Sequence, residues 1–182
     1  MRVIAGDFRG KKLETLPGED VTRPTSDRVK EGMFSSIHFM LPGARVLDLF
    51  AGSGQLGLEA MSRGAARCVF LDASREATQV VMKNCKNCGV FDRVRVSMGD
   101  ARLYLGSCKD MFDLILMDPP YRQGLCKDLL PQADKVLDEG GVVICETERD
   151  ADLPGAIGGL TLEKRYQYGT IAVWRYRKES AQ

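Results

Sequence analysis

Residues 44–57 read ARVLDLFAGSGQLG and decide the fold. The apolar run at residues 44–49 predicts a buried strand, and Gly52, Gly54 and Gly57 follow it with the spacing G-x-G-x-x-G ahead of a helical pattern. Glycines at this spacing allow a tight turn from strand to helix and close approach of a ligand to the backbone. They also serve helix packing, so the motif predicts a strand–turn–helix unit without deciding what the turn binds.

Strand and helix patterns alternate along the rest of the chain. The predicted elements are a helix at 26–40, the first strand at 44–49, helix 55–63, strand 67–72, helix 74–87, strand 93–97, a short helix at 101–107, strand 112–117, helix 124–137, strand 141–146 and strands 160–167 and 170–176. Residues 1–16 predict a further short hairpin. This order predicts an α/β fold with a mostly parallel seven-stranded sheet, helices on both faces and a C-terminal antiparallel hairpin.

Length and composition are those of one globular domain. The chain has 182 residues, with 26 Lys and Arg against 25 Asp and Glu, so its net charge does not indicate a nucleic-acid partner. Residues 1–42 are predicted to form an extension, a hairpin and a helix, ahead of the main domain at 43–182. The sequence has no apolar run of membrane-spanning length and no signal-peptide core, which predicts a cytoplasmic protein without a membrane partner.

Carboxylates follow or end four of the predicted parallel strands, at Asp48, Asp72, Asp100 and Asp118. Ligands of such sheets bind at the carboxyl ends of the strands, so these acids are expected to converge on one site. A nicotinamide cofactor is one interpretation. However, Asp48 stands just ahead of the glycine turn, where its charge would repel a pyrophosphate. S-adenosylmethionine, which carries a ribose diol, an adenine and a positive head group, fits these acids better.

The ordered motifs resemble a known family. DLFAGSGQLG, the acids at Asp72 and Asp100, and DPPY at residues 118–121 look like the motifs of class I S-adenosylmethionine-dependent methyltransferases. More narrowly, RPTSDRVKEGMF (residues 23–34) and RVIAGDFRGKKL (residues 2–13) resemble the RsmD family, which methylates the exocyclic N2 of a guanine in 16S small-subunit ribosomal RNA. The resemblance covers nearly the whole chain and implies a Rossmann-like class I methyltransferase fold. One departure is the glutamine after the second glycine, where a small residue is expected.

The resemblance also implies roles in binding. The residues implied for the cofactor are Asp48 for the methionine moiety, Gly52 and Gly54 for backbone approach, Asp72 for the ribose, Asp100 for the adenine amine with Ala101 beside it, and Arg23 and Thr25 for a covering loop. The cations expected at RNA phosphates are Arg2, Arg9, Lys11, Lys12 and Arg28. The same cations also suit an ordinary solvated surface.

The expected catalytic residues are Asp118, Pro119, Pro120 and Tyr121. An exocyclic base amine is a poor nucleophile because its lone pair is delocalised into the ring. The Asp118 carboxylate and the Pro119 carbonyl are expected to accept the N–H bonds of the amine and so direct its lone pair at the sulfonium methyl group. The prolines stiffen the backbone, and Tyr121 offers a ring on which the base can stack.

Two alternatives remain open at the level of the sequence. DPPY also occurs in enzymes that methylate adenine N6 in DNA or RNA, although the chain has no separate domain for recognising a DNA target. A non-catalytic nucleotide- or RNA-binding module would keep the same fold, but the intact Asp118 and glycines speak against it. The preferred partner is small-subunit ribosomal RNA within a ribosomal particle.

The six cysteines are expected to be reduced thiols. Cys85 and Cys88 form a C-x-x-C, but they lack the second pair or nearby histidine that a zinc site needs, so no metal is expected. A thiol nucleophile at Cys126 or Cys145 is disfavoured because neither follows a proline in the loop that such chemistry uses.

Overall fold

Eight strands and five α-helices make up the computed structural model, which describes residues 1–18 and 26–180. The strands are β1 (Arg45–Asp48), β2 (Arg67–Asp72), β3 (Val94–Met98), β4 (Phe112–Met117), β5 (Leu137–Glu148), β6 (Ala156–Ile157), β7 (Leu160–Tyr168) and β8 (Ile171–Lys178). The helices are α1 (Asp27–Ser35), α2 (Gln55–Ser62), α3 (Arg75–Cys88), α4 (Ala101–Ser107) and α5 (Leu125–Val136), with 3-10 turns at His38–Met40 and Phe91–Arg93.

All strands belong to one sheet, in the order β3-β2-β1-β4-β5-β8-β7-β6. Strands β1 to β5 pair in parallel, and β5, β8, β7 and β6 pair antiparallel. After β1 the chain adds β2 and β3 on one side, and then returns to add β4 on the other side of β1. Such a reversal leaves a crevice at the carboxyl ends of the two adjacent strands, and ligands bind there in open α/β sheets.

Two hydrophobic clusters cover the two faces of the sheet. One joins the N-terminal segment to helices α1, α2 and α3, with Val3, Phe34 and Phe70 buried in it. The other packs α4 and α5 on the opposite face, around Leu105 and Leu130. The N-terminal extension therefore shares the core of the main domain.

Local capping explains where several helices begin. The Ser26 hydroxyl accepts the Val29 N–H at the start of α1, and the Ser74 hydroxyl accepts the Ala77 N–H at the start of α3. Both are N-cap interactions, typically worth about 1 kcal/mol. The predicted helix at 26–40 stops early, because Ser36 turns back to bond the Met33 carbonyl and the chain continues as a 3-10 turn.

The predicted seven strands become eight, because Ala156–Ile157 folds back on β7 as the short strand β6. The Gly158 φ of 58° makes that tight turn. Strand β5 begins at Leu137 rather than at residue 141, with a shift of register where it passes β4. Both differences lie in glycine-rich stretches, where a sequence pattern defines strands poorly.

The predicted N-terminal hairpin is reduced to a single bridge between Arg2 and Lys12. Three backbone hydrogen bonds join its two arms: Val3 N–H to the Lys11 carbonyl, Gly10 N–H to the Val3 carbonyl and Leu13 N–H to the Met1 carbonyl. The next two backbone donors of the first arm bond a buried carboxylate instead. Glu59 Oε2 accepts the Ile4 N–H at 2.8 Å, and its Oε1 accepts the Ala5 N–H at 3.0 Å. The same carboxylate lies 2.9 Å from Arg63 and 3.8 Å from the buried Lys30 ammonium.

Within the described part of the chain, none of the helices has the length and apolar character needed to cross a bilayer.

Candidate active site

A cavity of about 520 Å³ opens at the carboxyl ends of the parallel strands, beside the reversal between β1 and β4. It is lined by six of the residues predicted from the sequence, namely Gly52, Asp72, Asp100, Ala101, Asp118 and Pro120. Residues of four separate chain segments therefore meet in one concave site, as the strand-end pattern predicts.

The glycine turn after β1 is fixed by the end of β2. Gly52 has a φ of 55°, and its backbone N–H donates to Asp72 Oδ2 at 2.9 Å. Asp72 Oδ1 accepts the Ser74 N–H at 2.8 Å. Gly54 has a φ of 82° and is the N-cap of α2; it faces Val81 and Phe70 and is not part of the cavity wall. Gly57 packs against the sheet: a Cβ there would lie 2.3 Å from the Phe70 ring.

Asp48 is fully buried below the same turn and does not line the cavity. Its Oδ2 accepts the Gly57 N–H at 2.9 Å, whereas its Oδ1 has no hydrogen-bond partner among the described residues. Burial raises the pKa of Asp48 to about 7, and the nearby Asp72 adds to this rise while the Gly57 N–H opposes it. The structure thus places Asp48 under α2, and contact with the methionine moiety stays a prediction.

The far end of the cavity is formed by the start of α4. Asp100 Oδ1 accepts the N–H groups of Arg102 at 2.8 Å and of Leu103 at 3.0 Å, so this carboxylate caps the helix. Ala101 packs beside it in the cavity wall. These two bonds fix the Asp100 carboxylate at the edge of the cavity. Both go to Oδ1, and Oδ2 takes part in neither.

The DPPY segment leaves β4 directly at the cavity. Asp118 and Pro120 line it, while Pro119 is buried and lies, with Tyr121, against a smaller adjoining cavity of about 140 Å³. The Tyr121 hydroxyl lies 3.3 Å from Glu146 Oε1 at the end of β5. The four predicted catalytic residues therefore stand on a short loop between two concave spaces.

Several further residues complete the cavity wall and were not predicted from the sequence. They include Phe50, Ser53, Gln55, Arg102 and Gln123. Gln55, the departure from the family pattern, is buried, and its Oε1 has no partner within residues 1–18 and 26–180. Each of these residues lies within a few positions of a recognised motif, which is the only signal that the sequence offers.

The predicted RNA-binding cations do not line the cavity. Arg2 forms an ion pair of 3.0 Å with Asp27, and Lys11 donates to the Asn87 carbonyl at 2.6 Å. The remaining three, Arg9, Lys12 and Arg28, are exposed and form no ion pair with another described residue. The predicted covering-loop residues Arg23 and Thr25 lie outside the described residues.

The cysteines are mostly buried thiols. Burial raises the pKa of Cys85 to about 12 and also raises the pKa of Cys88, so neither thiol ionises readily. The described residues contain no group of three or more His, Cys, Asp or Glu that could hold a metal ion.

Two features define the class of protein. The open sheet reverses its strand order beside a glycine turn, and an acid, two prolines and a tyrosine follow the neighbouring strand. The chain is a methyltransferase with a Rossmann-like fold. The solved structure of the Escherichia coli protein yhhF, whose name proposes methyltransferase activity, matches it with a TM-score of 0.86. The two chains are 31% identical, and the match covers 100% of this chain and 99% of that one.

Sequence comparison gives the family. The family model described as Conserved hypothetical protein 95 matches residues 1–177. YlbH of Bacillus subtilis (strain 168), whose name proposes rRNA methyltransferase activity, is 39% identical over 98% of this chain and 99% of YlbH. Ribosomal RNA small subunit methyltransferase D of Escherichia coli (strain K12) is 33% identical over 99% of this chain and 91% of that protein. The chain belongs to this family, the RsmD family, and the resemblance of its motifs is confirmed.

Proposed function

We propose that the protein transfers a methyl group from S-adenosylmethionine to the exocyclic N2 amine of a guanine in small-subunit (16S) ribosomal RNA. One observation carries the proposal: Asp118 lines the same cavity as the glycine turn and the acids Asp72 and Asp100. A carboxylate that would accept the N–H bonds of the base amine therefore lies in the wall of the cavity that would hold the cofactor. The name of the Escherichia coli relative supports small-subunit ribosomal RNA as the substrate.

The residues of the cavity fit the cofactor. Asp72 would accept the ribose hydroxyls; its two oxygens each already take one backbone N–H, and a carboxylate oxygen can accept a second bond. Asp100 and Ala101 would flank the adenine, and Gly52 would let the backbone approach the methionine moiety. The cavity volume of about 520 Å³ lies in the range of small-molecule sites. When bound, the cofactor supplies an activated methyl group on its sulfonium.

The DPPY loop would hold the nucleophile. Asp118, and with it the Pro119 carbonyl, would accept the two N–H bonds of the base amine and favour the positive charge that develops on nitrogen. Tyr121 would stack on the base, an interaction worth roughly 1–3 kcal/mol for an unstacked base. Because the loop is recessed at the sheet edge, the base must leave its stack to reach it. Positioning is therefore the main task of these residues.

The wider assignments are part of the same proposal. Residues 1–42 would form the side of the protein that meets RNA, with Arg9, Lys12 and Arg28 as its available cations, and Arg23 and Thr25 would belong to a loop over the cofactor. The substrate would be ribosomal RNA within a small-subunit particle, in the cytoplasm. A chain with a net charge of only +1 has little long-range attraction for RNA, which favours help from ribosomal proteins.

The test is transfer of labelled methyl from S-adenosylmethionine to small-subunit particles that lack the modification, followed by nucleoside analysis. We expect N2-methylguanosine in 16S RNA and no transfer to particles that already carry the modification. N6-methyladenosine, or label confined to other RNAs, would contradict the proposal. Comparison of particles with bare 16S RNA at equal concentration tests the particle requirement, which fails if bare RNA is the equal or better substrate.

A further inference from the structure

A second groove, of about 600 Å³, lies on the other side of the DPPY loop, residues 118–121, which is the catalytic loop of the proposed function. Tyr121, the last residue of the loop, forms one wall of this groove. The end of β5 and the turn between β7 and β8 form the other walls. Three arginines line it, Arg122, Arg149 and Arg165, against the acids Glu148 and Asp150.

Arg122 follows the DPPY segment directly and has a φ of 60°. It is the one non-glycine residue with a positive φ in the described part of the chain. An arginine in the left-handed region is uncommon, and backbone strain of this kind concentrates at functional loops. Its backbone N–H lies 3.4 Å from Glu148 Oε2, so the carboxylate faces the backbone of Arg122. The strained backbone projects a cation from the end of the catalytic loop.

Arg165 is oriented by packing rather than by an acid. Its guanidinium lies 4.5 Å from the centre of the buried Trp174 ring, and it donates to the Arg149 carbonyl. Arg149 is itself held by its backbone N–H, which donates to the Thr170 carbonyl at 2.8 Å. Neither guanidinium forms an ion pair with a carboxylate of residues 1–18 or 26–180. Their charge is therefore available to a ligand.

Arg45, at the amino end of β1, differs from the groove arginines because it is paired with carboxylates. Its guanidinium bonds Asp113 at 2.9 Å and Asp138 at 2.6 Å, and these two acids raise its pKa. That arginine is neutralised within the protein, on the edge of the sheet opposite the catalytic loop. The groove arginines, beside the loop, are not neutralised in this way.

We infer that this groove binds the RNA backbone next to the target nucleotide, with Arg122, Arg149 and Arg165 as phosphate contacts. The inference rests on the proposed function and adds a substrate-positioning surface to it. A base whose amine reaches Asp118 while its ring stacks on Tyr121 leaves its neighbouring phosphates beside Tyr121, where the groove begins. Guanidinium groups suit phosphate oxygens because they donate two parallel hydrogen bonds. The surface is separate from the N-terminal cations Arg9 and Lys12.

The test compares Arg149→Gln with Arg149→Lys and with Arg67→Gln. Arg149 is exposed, so its removal leaves the core intact. Arg67 is the control: it is an exposed arginine at the amino end of β2 and lines neither the groove nor the cofactor cavity. The measurements are KM for the RNA substrate, kcat at saturating RNA, the dependence of KM on potassium chloride concentration, and the dissociation constant of S-adenosylmethionine by calorimetry. Arg165→Gln serves as a second variant, with its melting temperature measured because Arg165 packs on Trp174.

We expect Arg149→Gln to raise KM for RNA about three- to ten-fold and to lower the salt slope of log KM by about 0.7, the value for one lost phosphate contact on a single strand. Arg149→Lys should keep the wild-type salt slope because it keeps the charge, with a smaller rise in KM than Arg149→Gln because only the paired hydrogen bonds are lost. Arg67→Gln should match the wild type, and cofactor binding should be unchanged in all three. Wild-type KM and salt slope in Arg149→Gln, or equal losses in Arg67→Gln, would overturn the inference. If the wild type modifies a different base or RNA, the proposed function is wrong but the groove inference is still testable. The same variants are then compared with the wild type on that RNA.

Discussion

Asp72 Oδ2 accepts the backbone N–H of Gly52 at 2.9 Å, which ties the end of β2 to the glycine turn that follows β1. The other oxygen of the same carboxylate accepts the Ser74 N–H at 2.8 Å and so fixes the approach to α3. One side chain therefore shapes the turn, the helix start and the cavity wall together. The affinity for the cofactor and the stability of the fold are expected to depend on it jointly.

Asp72→Ala should weaken S-adenosylmethionine binding at least about ten-fold and lower the free energy of unfolding by roughly 1–3 kcal/mol, because two backbone donors lose their acceptor. Calorimetry of cofactor binding and urea unfolding without cofactor measure the two effects. Asp110→Ala is the control, since it removes an exposed carboxylate paired with Arg95 and should change stability by less than about 1 kcal/mol. Unchanged cofactor affinity in Asp72→Ala would remove Asp72 from the binding site.

Asp118→Ala should separate catalysis from cofactor binding. The carboxylate stands at the cavity wall after β4, and its loss removes an acceptor for the base amine without opening the core. We expect kcat to fall by about 10²–10³-fold, the usual effect of losing one preorganised electrostatic contact. The dissociation constant of S-adenosylmethionine should stay near that of the wild type. Steady-state transfer to saturating unmodified particles measures the first quantity, and near-normal turnover would refute the role of Asp118.

Gly57→Ala should destabilise the fold through packing. A Cβ at Gly57 would lie 2.3 Å from Phe70 Cε1 and 2.9 Å from Cys68 Sγ, so α2 must move away from the sheet. Overpacking of this kind costs typically 1–3 kcal/mol, measured as the loss in free energy of unfolding by urea.

Gly106→Ala is the matched control for that substitution. Gly106 lies in α4, and a Cβ there meets no atom within 4 Å, so alanine should stabilise the protein by about 0.5–1 kcal/mol through its higher helix propensity. Equal effects of the two glycine substitutions would show that the close approach of α2 to Phe70 does not limit stability.

The fold and the cavity could be predicted from the sequence because their signals are local. The ends of β2 and β4 were predicted at Asp72 and before Asp118, where a following turn or a proline pair stops the strand. The beginning of α4 was predicted at Ala101, behind the capping Asp100. Since parallel strands share one carboxyl edge, these local signals were enough to bring three of the four acids, Asp72, Asp100 and Asp118, into one cavity.

The remaining features depend on contacts between distant residues. Glu59 lies on α2, but its carboxylate accepts the backbone N–H groups of residues 4 and 5, where the predicted N-terminal hairpin would continue. Arg122 and Arg165 line one groove only because β7 returns to the DPPY segment. Asp48 was expected beside the cofactor, and its placement below the turn depends on how α2 packs over the end of β1. No spacing in the sequence reports such geometry.

The burial of Asp48 is expected to make its contribution to stability depend on pH. Its folded-state pKa of about 7 lies above the value of 3.8 for an ordinary aspartate, because burial disfavours the charged form. Between about pH 4 and pH 7 the folded state binds more protons at this group than the unfolded state does, so its contribution to stability declines as pH rises. This direction is opposite to that of a salt-bridged aspartate such as Asp113, whose pKa is lowered by Arg45.

Asp48→Asn removes this titrating group. The substitution should therefore change how the free energy of unfolding depends on pH. The asparagine can still accept the Gly57 N–H, and any fixed effect of its new donor is the same at every pH. We therefore expect the free energy of unfolding of Asp48→Asn, relative to the wild type, to increase by up to about 4 kcal/mol between pH 4 and pH 8. Urea unfolding without cofactor at several pH values measures this difference. Parallel profiles for Asp48→Asn and the wild type would mean that the buried carboxylate keeps an ordinary pKa, and that its charge is stabilised within the fold even without a ligand.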